Sequence, residues 1–328
     1  MQLNLLMDKI FSVTDLTFEA VALEVFRYQY QQVEIYKLYC DSLKRNPESV
    51  NSLLDIPFLP IEFFKTHTVI AKEKNAEKVF ESSGTTGQVS SKHPVADLSL
   101  YERSFEKCFE LFYGDVKEYV ILALLPSYLE RDNSSLAYMA KNLIERSHQN
   151  ASGFFLNEFE KLYDWLDVLK NGKRKVMLLG VTFGLLDFAE QYKIDFPDLI
   201  VMETGGMKGR REELTREEVH LQLRTAFDVA DIHSEYGMTE LLSQGYSKGN
   251  GVFYSPPWMR LLTRDMYDPL TLQKENATGA VNVIDLANLY SCSFISTGDL
   301  GRTKADGSFE ILGRMDNAEI RGCNLMAL

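Results

Sequence analysis

Between residues 15 and 45 apolar side chains return every three or four positions. Phe18, Val21, Ala22, Val25 and Phe26 fall on one stripe, and that spacing predicts long helical segments. NPES, residues 46–49, interrupts the pattern and offers a new helix start. The apolar run DIPFLPIEFFKTHTV, residues 55–69, holds two prolines. It reads as an extended, buried crossing, because proline lacks the N–H that a helix interior or a central strand needs.

From about residue 79 the pattern alternates between strand and helix. KVFESSGTTG is a strand entering a Gly-rich turn, and DLSLYERSFEKCFELF (97–112) is a helix with Asp97 as its cap. EYVILALLP (118–126) is almost continuously apolar, as a strand covered on both faces must be. SSLAYMAKNLIERSH (134–148) is a helix capped by Ser134 or Ser135. KVMLLGVT (175–182), FGLLDFAEQY (183–192) and DLIVMETGG (198–206) give strand, helix and strand, and Thr215 with Glu218 makes a capping box for the next helix. This order predicts an α/β fold with mainly parallel sheets covered by helices. After residue 250 short segments such as WMRLLTRD, GAVNVIDL and SFEILGR are joined by the turn signals DPLT and ADGS. They predict a smaller antiparallel β region.

Charge and cysteine content narrow the function classes. The net charge is −12 over 328 residues, and the pI is near 5.0. That balance argues against a nucleic-acid partner or an anionic membrane surface, both of which need clustered Lys and Arg. No run of about 18 apolar residues is present, so no membrane span is expected, and the N-terminus lacks a signal-length apolar run. The four cysteines, Cys40, Cys108, Cys292 and Cys323, are too sparse for a disulfide framework and lack metal-ligand spacing. The five histidines form no HExxH or HxxxH pattern. Cys40, Cys108 and Cys292 read as small buried hydrophobes. The expectation is a cytoplasmic protein with reduced thiols.

Four polar stretches carry candidate chemistry. In SSGTTG, formed by Ser82, Ser83, Gly84, Thr85, Thr86 and Gly87, two glycines permit close backbone approach and four hydroxyls suit phosphate oxygens. It is not a Walker A loop, because no Gly-Lys-Ser/Thr follows. HSEYGMTELLSQGYS (233–247) reads locally as a turn before an amphipathic helix. Within it Tyr236 and Gly237 can present an aromatic face to a flat base, Thr239 can donate to a phosphate, and Glu240 offers a hard oxygen to a divalent cation. STGDLG (296–301) places Asp299 between glycines near a strand end, suited to a bidentate grip on a ribose diol. LGRMDNAEIRG (312–322) puts Arg314 and Asp316 in a turn. Each stretch alone is also an ordinary turn.

In this order the four stretches resemble the successive signature motifs of the adenylate-forming superfamily: its phosphate loop, its adenine and magnesium motif, its ribose motif and its hinge. FLPIEFFKT, LPSYLERDNSSLAYM, ETGGMKGRREE and the ending GRMDNAEIRGCNL look like the LuxE-type acyl-protein synthetases, relatives of phenylacetate-CoA ligases. The resemblance covers nearly the whole chain. It implies an adenylate-forming core over residues 1–313, with a helical segment (1–78), an α/β region (79–250) and a β-rich region (251–313). Residues 314–328 would be the hinge and a short tail. It implies ATP and Mg²⁺ as cofactors, and a carboxylic acid, most naturally a fatty acid, as substrate. The activated acyl group would pass to a cysteine near the C-terminus, Cys323, and then to a partner: an acyl carrier, CoA or a reductase. The rival expectations are a short acid:CoA ligase and a non-catalytic nucleotide-binding subunit.

By the same resemblance Ser82 to Gly87 would hold the ATP phosphates, and Gly205 and Gly206 would line the adenine cleft. Tyr236 would stack on the base, with Gly237 beside it. Thr239 would contact the α-phosphate, Glu240 would bind Mg²⁺, Asp299 would grip the ribose and Arg314 would reach ribose or phosphate, with Asp316 at the hinge. The chain departs from the family pattern in three ways. The position three residues after Gly87, a lysine in many members, is Ser90, with Lys92 the nearest lysine. The hinge motif is one residue short. The C-terminal subdomain that carries a catalytic lysine does not follow, which leaves Lys208 and Arg210 as candidate substitutes. Tyr128, Phe183 and Phe188 are candidates to line an acyl tunnel, and His233 reads as a hydrogen-bonded structural residue.

Overall fold

A computed structural model describes residues 2–82, 89–125, 133–205 and 214–315. The chain opens with α1 (Gln2–Phe11), α2 (Phe18–Gln32) and α3 (Glu34–Ser42). The stripe on α2 is buried as its spacing predicts, and the same face carries a buried amide, Gln29. Its Nε2 donates to the carbonyls of Asn288 and Leu289 and to Ser293 Oγ at 2.9–3.0 Å, and Ser293 N donates back to Oε1 at 3.0 Å. One side chain thus ties the first helices to the last third of the chain. The proline-bearing crossing is extended only in its first half. Leu59–Pro60 forms a short strand, β1, and Phe63–Thr66 then makes one helical turn, α4.

Next come the hairpin strands β2 (Lys78–Glu81) and β3 (Lys92–Val95), followed by α5 (Leu98–Tyr113). The Asp97 carboxylate accepts from Leu100 N, as a cap should. The main sheet then assembles from β4 (Tyr119–Leu124), α6 (Ser135–Ser147), β5 (Gly153–Phe155), α7 (Phe159–Leu169), β6 (Lys175–Val181), α8 (Thr182–Gln191), β7 (Ile200–Thr204), α9 (Arg216–Phe227), β8 (His233–Tyr236) and β9 (Gly245–Ser247). Its order is β5-β4-β6-β7-β8-β9, parallel throughout except for β9. All six residues of β4 are buried, which explains its continuous apolar run. Ser134 caps α6, and the Thr215–Glu218 capping box is present at α9. Phe188 stacks on Phe227 and Tyr192 and belongs to this core.

The last third is antiparallel. β10 (Val252–Phe253), β14 (Phe309–Arg314), β13 (Phe294–Thr303), β12 (Thr278–Asp285) and β11 (Met259–Arg264) lie side by side in that order. One edge of β13 takes β1 at Ile295–Ser296 and then β14 from Asp299 to Thr303. Cys40, Cys108 and Cys292 are buried, and burial pushes each thiol upward in pKa, so none is a ready nucleophile. No helix among the described residues is long and apolar enough to cross a membrane.

Candidate functional site

The parallel strands β7 and β8 end at Thr204 and Tyr236, and the sequence motifs continue from those carboxyl ends, the edge at which open α/β sheets bind ligands. The stretch after β8 is not the amphipathic helix its pattern suggested. Residues 237–244 run irregularly into β9. The backbone N–H groups of Leu242 and Ser243 donate to the buried Asp285 carboxylate at 2.7 and 2.9 Å, and Ser243 Oγ adds a third bond at 2.6 Å. A carboxylate from β12 takes the donors that a helix would have used internally. Burial still wins over these bonds and raises Asp285 to about 6.

The ends of the β2–β3 hairpin meet the segment that follows β8. Ser82 N donates to Ser91 O, and Ser91 N donates to Ser82 Oγ, both at 3.0 Å. Ser91 Oγ then donates to Glu240 Oε1. Glu240 is buried, which raises its pKa; the Ser91 bond works against that rise, as does the positive charge of Arg314. The carbonyl of Thr239 accepts from His93 Nδ1 at 2.8 Å, and the carbonyl of Glu240 accepts from Asn288 Nδ2 at 2.7 Å. Among the described residues no group of three His, Cys, Asp or Glu gathers as a metal cage. A single carboxylate such as Glu240 nevertheless fits Mg²⁺, which takes one or two protein carboxylates and keeps most of its shell for water and substrate phosphates.

Asp299 owes its position to a bulge. β12 and β13 pair regularly up to Ala280↔Leu300 and resume at Asn282↔Ser296, so residues 297–299 leave the pairing with β12, while Asp299 keeps its pairing with Arg314 on β14. The carbonyls this frees are collected by the buried guanidinium of Arg264, which donates to Val281 O at 2.7 Å and Thr297 O at 2.8 Å. STGDLG therefore lies within a long strand, and neither at its end nor in a hairpin turn. Asp299 Oδ2 accepts from Tyr236 OH at 2.8 Å, and its cross-strand partner Arg314 brings Nε to 3.6 Å from Oδ1. Burial raises the Asp299 pKa; the Tyr236 bond and the charges of Arg314 and Arg264 oppose the rise. Arg314 closes β14 with 78% of its side chain exposed.

Tyr236 is buried, with its ring edge-on to Phe309 and Phe253. Beside it Glu235 Oε2 accepts from Thr204 Oγ1 at 2.5 Å, and its Oε1 fills the space a Cβ on Gly237 would need. Burial raises Glu235 to about 7. Gly205 follows Thr204 at φ +78°, a conformation that favours glycine.

The structure thus draws Ser82, Tyr236, Gly237, Thr239, Glu240, Asp299 and Arg314 into one region, with Gly205 on the adjoining strand end. Ser83, Gly84, Thr85, Thr86, Gly87, Tyr128, Gly206, Lys208, Arg210, Asp316 and Cys323 lie outside the described residues. Lys92 pairs with Glu81 at 3.6 Å on the exposed face of its hairpin, whereas its neighbours Ser91 and His93 are buried. Its alternation directs it away from Glu240. His233 begins β8, at the end away from Tyr236, and bonds Tyr113 OH at 3.0 Å. Sequence reasoning missed Ser91, His93, Arg264, Asp285 and Asn288. Only the period-2 spacing of Ser91 and His93 in a strand after the Gly-rich turn hinted at two inward polar groups.

A family model described as acyl-protein synthetase, LuxE, matches residues 12–327. Over 68 residues, 20% of this chain, the sequence is 34% identical to the long-chain-fatty-acid–luciferin-component ligase of Photorhabdus luminescens, and the match spans 58% of that protein. ATP-bound MatB from Rhodopseudomonas palustris superposes with a TM-score of 0.55 at 17% identity, over 72% of this chain and 47% of MatB. A 2-hydroxyisobutyryl-CoA ligase in its postadenylation state, with R3-HIB-AMP, gives 0.68 at 12% identity, over 94% of this chain and 70% of that one. The chain therefore spans about half the length of MatB. At these identities the likeness is one of fold.

Proposed function

The chain belongs to the LuxE acyl-protein synthetase family, and from that premise we propose that it activates a carboxylic acid with ATP and passes the acyl group to a thiol. The observation that carries the proposal is the gathering of Tyr236, Asp299, Arg314, Thr239 and Glu240 beside the paired ends of the Ser82–Ser91 hairpin.

In this reading the acid's carboxylate oxygen attacks the α-phosphorus of ATP. The bond to pyrophosphate breaks, and a mixed acyl-phosphate anhydride forms with AMP. Asp299, with a second lone pair on each oxygen, accepts the ribose hydroxyls while Tyr236 and Arg314 hold its carboxylate in place. Tyr236 and Gly237 face the base, Ser82 to Gly87 receive the phosphates, and Gly205 and Gly206 line the adenine cleft. Thr239 donates to the α-phosphate as charge builds there, and Arg314 adds positive charge from the next strand. Glu240 is the residue that would hold Mg²⁺, which when bound neutralises phosphate charge. A thiolate then attacks the acyl carbon and AMP leaves, giving a thioester. We assign that thiol to Cys323 and the onward acceptor to a partner. A fatty acid is the favoured substrate, since the matched Photorhabdus protein is named for one.

The test is pyrophosphate exchange with ATP, Mg²⁺ and a panel of acids, joined to intact-mass spectrometry with and without hydroxylamine. The expected result is acid-dependent exchange plus a hydroxylamine-labile acyl mass on the chain, with Cys323→Ala retaining exchange and losing the mass. Unchanged acyl transfer to free CoA by Cys323→Ala would favour an acid:CoA ligase. ATP binding without exchange, with any acid, would sink the catalytic reading.

A further inference from the structure

The strand that follows the Gly-rich loop has a second property. Ser91, immediately before β3, and His93 within it both reach the same dipeptide, Thr239–Glu240, about 150 residues away in sequence. Ser91 bonds the Glu240 carboxylate, and His93 bonds the Thr239 carbonyl at 2.8 Å. Asn288 completes the hold from the other side, with Nδ2 donating to Glu240 O at 2.7 Å and to Cys292 O at 3.0 Å. His93 Nε2 lies 3.1 Å from the side-chain amide of Asn288, so the imidazole touches the same residue that holds Glu240. The imidazole is buried and meets Phe64 edge-on at 5.5 Å. At its loop end the strand is locked by the reciprocal Ser82–Ser91 pair. The loop's closing residue and the carboxylate's hydrogen-bond donor are therefore the same serine.

We propose that β3 and the serine before it form a clasp, in which Ser91 is a positioning residue that orients the Glu240 carboxylate for a divalent cation, while His93 and, from the other side, Asn288 pin the backbone of Thr239 and Glu240. The inference rests on the functional reading above. A free carboxylate rotates about its last bond. One held by a hydroxyl on Oε1 presents its remaining lone pairs in a fixed direction, and a hydrogen bond to a charged group is stronger than a neutral one. Because Ser91 also closes the hairpin, one strand sets the phosphate-loop ends and the cation ligand in register.

The clasp is tested by calorimetric titration of the full chain with ATP, with Mg²⁺ and with a chelator, which isolates the cation's share of affinity without turnover. Ser91→Ala is expected to cut the Mg²⁺-dependent gain in ATP affinity about tenfold and leave metal-free affinity unchanged. Ser91→Thr, which keeps the hydroxyl, is expected to restore the gain. In a Glu240→Ala background Ser91→Ala is expected to add nothing. If Ser91→Ala loses its thermal transition, Ser91→Cys, which keeps the size but donates weakly, carries the same expectation. An undiminished Mg²⁺ gain in Ser91→Ala, or an equal loss with and without Mg²⁺, would overturn the clasp alone. Failure of the unaltered chain to bind ATP under either condition would overturn the nucleotide reading, and the clasp with it.

Discussion

Glu235 offers a sharp check on the electrostatics of the site. Its carboxyl lies between Thr204 and Gly237, buried, and is raised from 4.5 to about 7 by burial, with the Thr204 bond opposing and the charge of Glu203 adding. At about 1.36 kcal/mol per pH unit, that displacement corresponds to ~3 kcal/mol. Below pH 4.5 the group is protonated whether the chain is folded or unfolded. Between 4.5 and about 7 the folded chain holds the proton and the unfolded chain does not, so stability falls as pH rises through that window. Above about 7 the folded chain carries the full cost of a buried anion. Glu235→Gln has nearly the same shape, still accepts from Thr204 and cannot ionise. Its stability relative to the unaltered chain should therefore be near zero at pH 4.5 and rise to a plateau of ~3 kcal/mol in its favour by about pH 8. His93 and His233, both lowered to about 4 by burial, pull oppositely between pH 4 and 6.5, because the unfolded chain takes up their protons first. Both proteins carry them, so they cancel in the difference. Urea unfolding of both proteins at closely spaced pH values gives the comparison. Parallel curves across pH 4.5–8 would refute the assignment of a buried, proton-holding Glu235.

Asp299→Asn keeps the shape at the bulge but removes the charge that would accept ribose hydroxyls, and it should raise the KM for ATP about tenfold to a hundredfold in pyrophosphate exchange. An unchanged KM would remove Asp299 from the nucleotide site. Gln29→Leu strands the carbonyl of Leu289 and the N–H of Ser293 in the interior and leaves the Asn288 carbonyl with only the 3.3 Å bond from Ser291 N. It should cost at least about 2 kcal/mol in urea unfolding, and a loss below about 1 kcal/mol would show that the tie is dispensable.

How much of this was legible depended on where each segment's hydrogen bonds go. β4 could be read because a strand covered on both faces needs apolar residues at every position, and the caps at Asp97, Ser134 and Thr215 could be read because donor and acceptor are three residues apart. Residues 237–244 could not. Leu241 and Leu242 sit where a helical stripe would want them, yet the N–H of Leu242 is taken by Asp285, a carboxylate from another sheet. No window around Leu242 contains that competitor. The same holds for Asp299, which the motif singles out while the bulge that presents it depends on Arg264, 35 positions earlier in the chain.

The hidden residues share a chemistry. Arg264, Asp285, Asn288 and His93 are buried polar groups, and each bonds at least one backbone atom of a motif segment. A backbone that leaves regular structure to meet a ligand exposes donors and acceptors that burial would otherwise penalise, and each must find a partner. Irregular motif segments in a buried setting therefore require such side chains, even though nothing in the motif says which residues they are. Their removal should disturb the motif's geometry before any group that would meet the ligand is lost. On that reasoning the motifs name the candidate groups, and the partners of their backbone decide how rigidly Thr239, Glu240 and Asp299 are held.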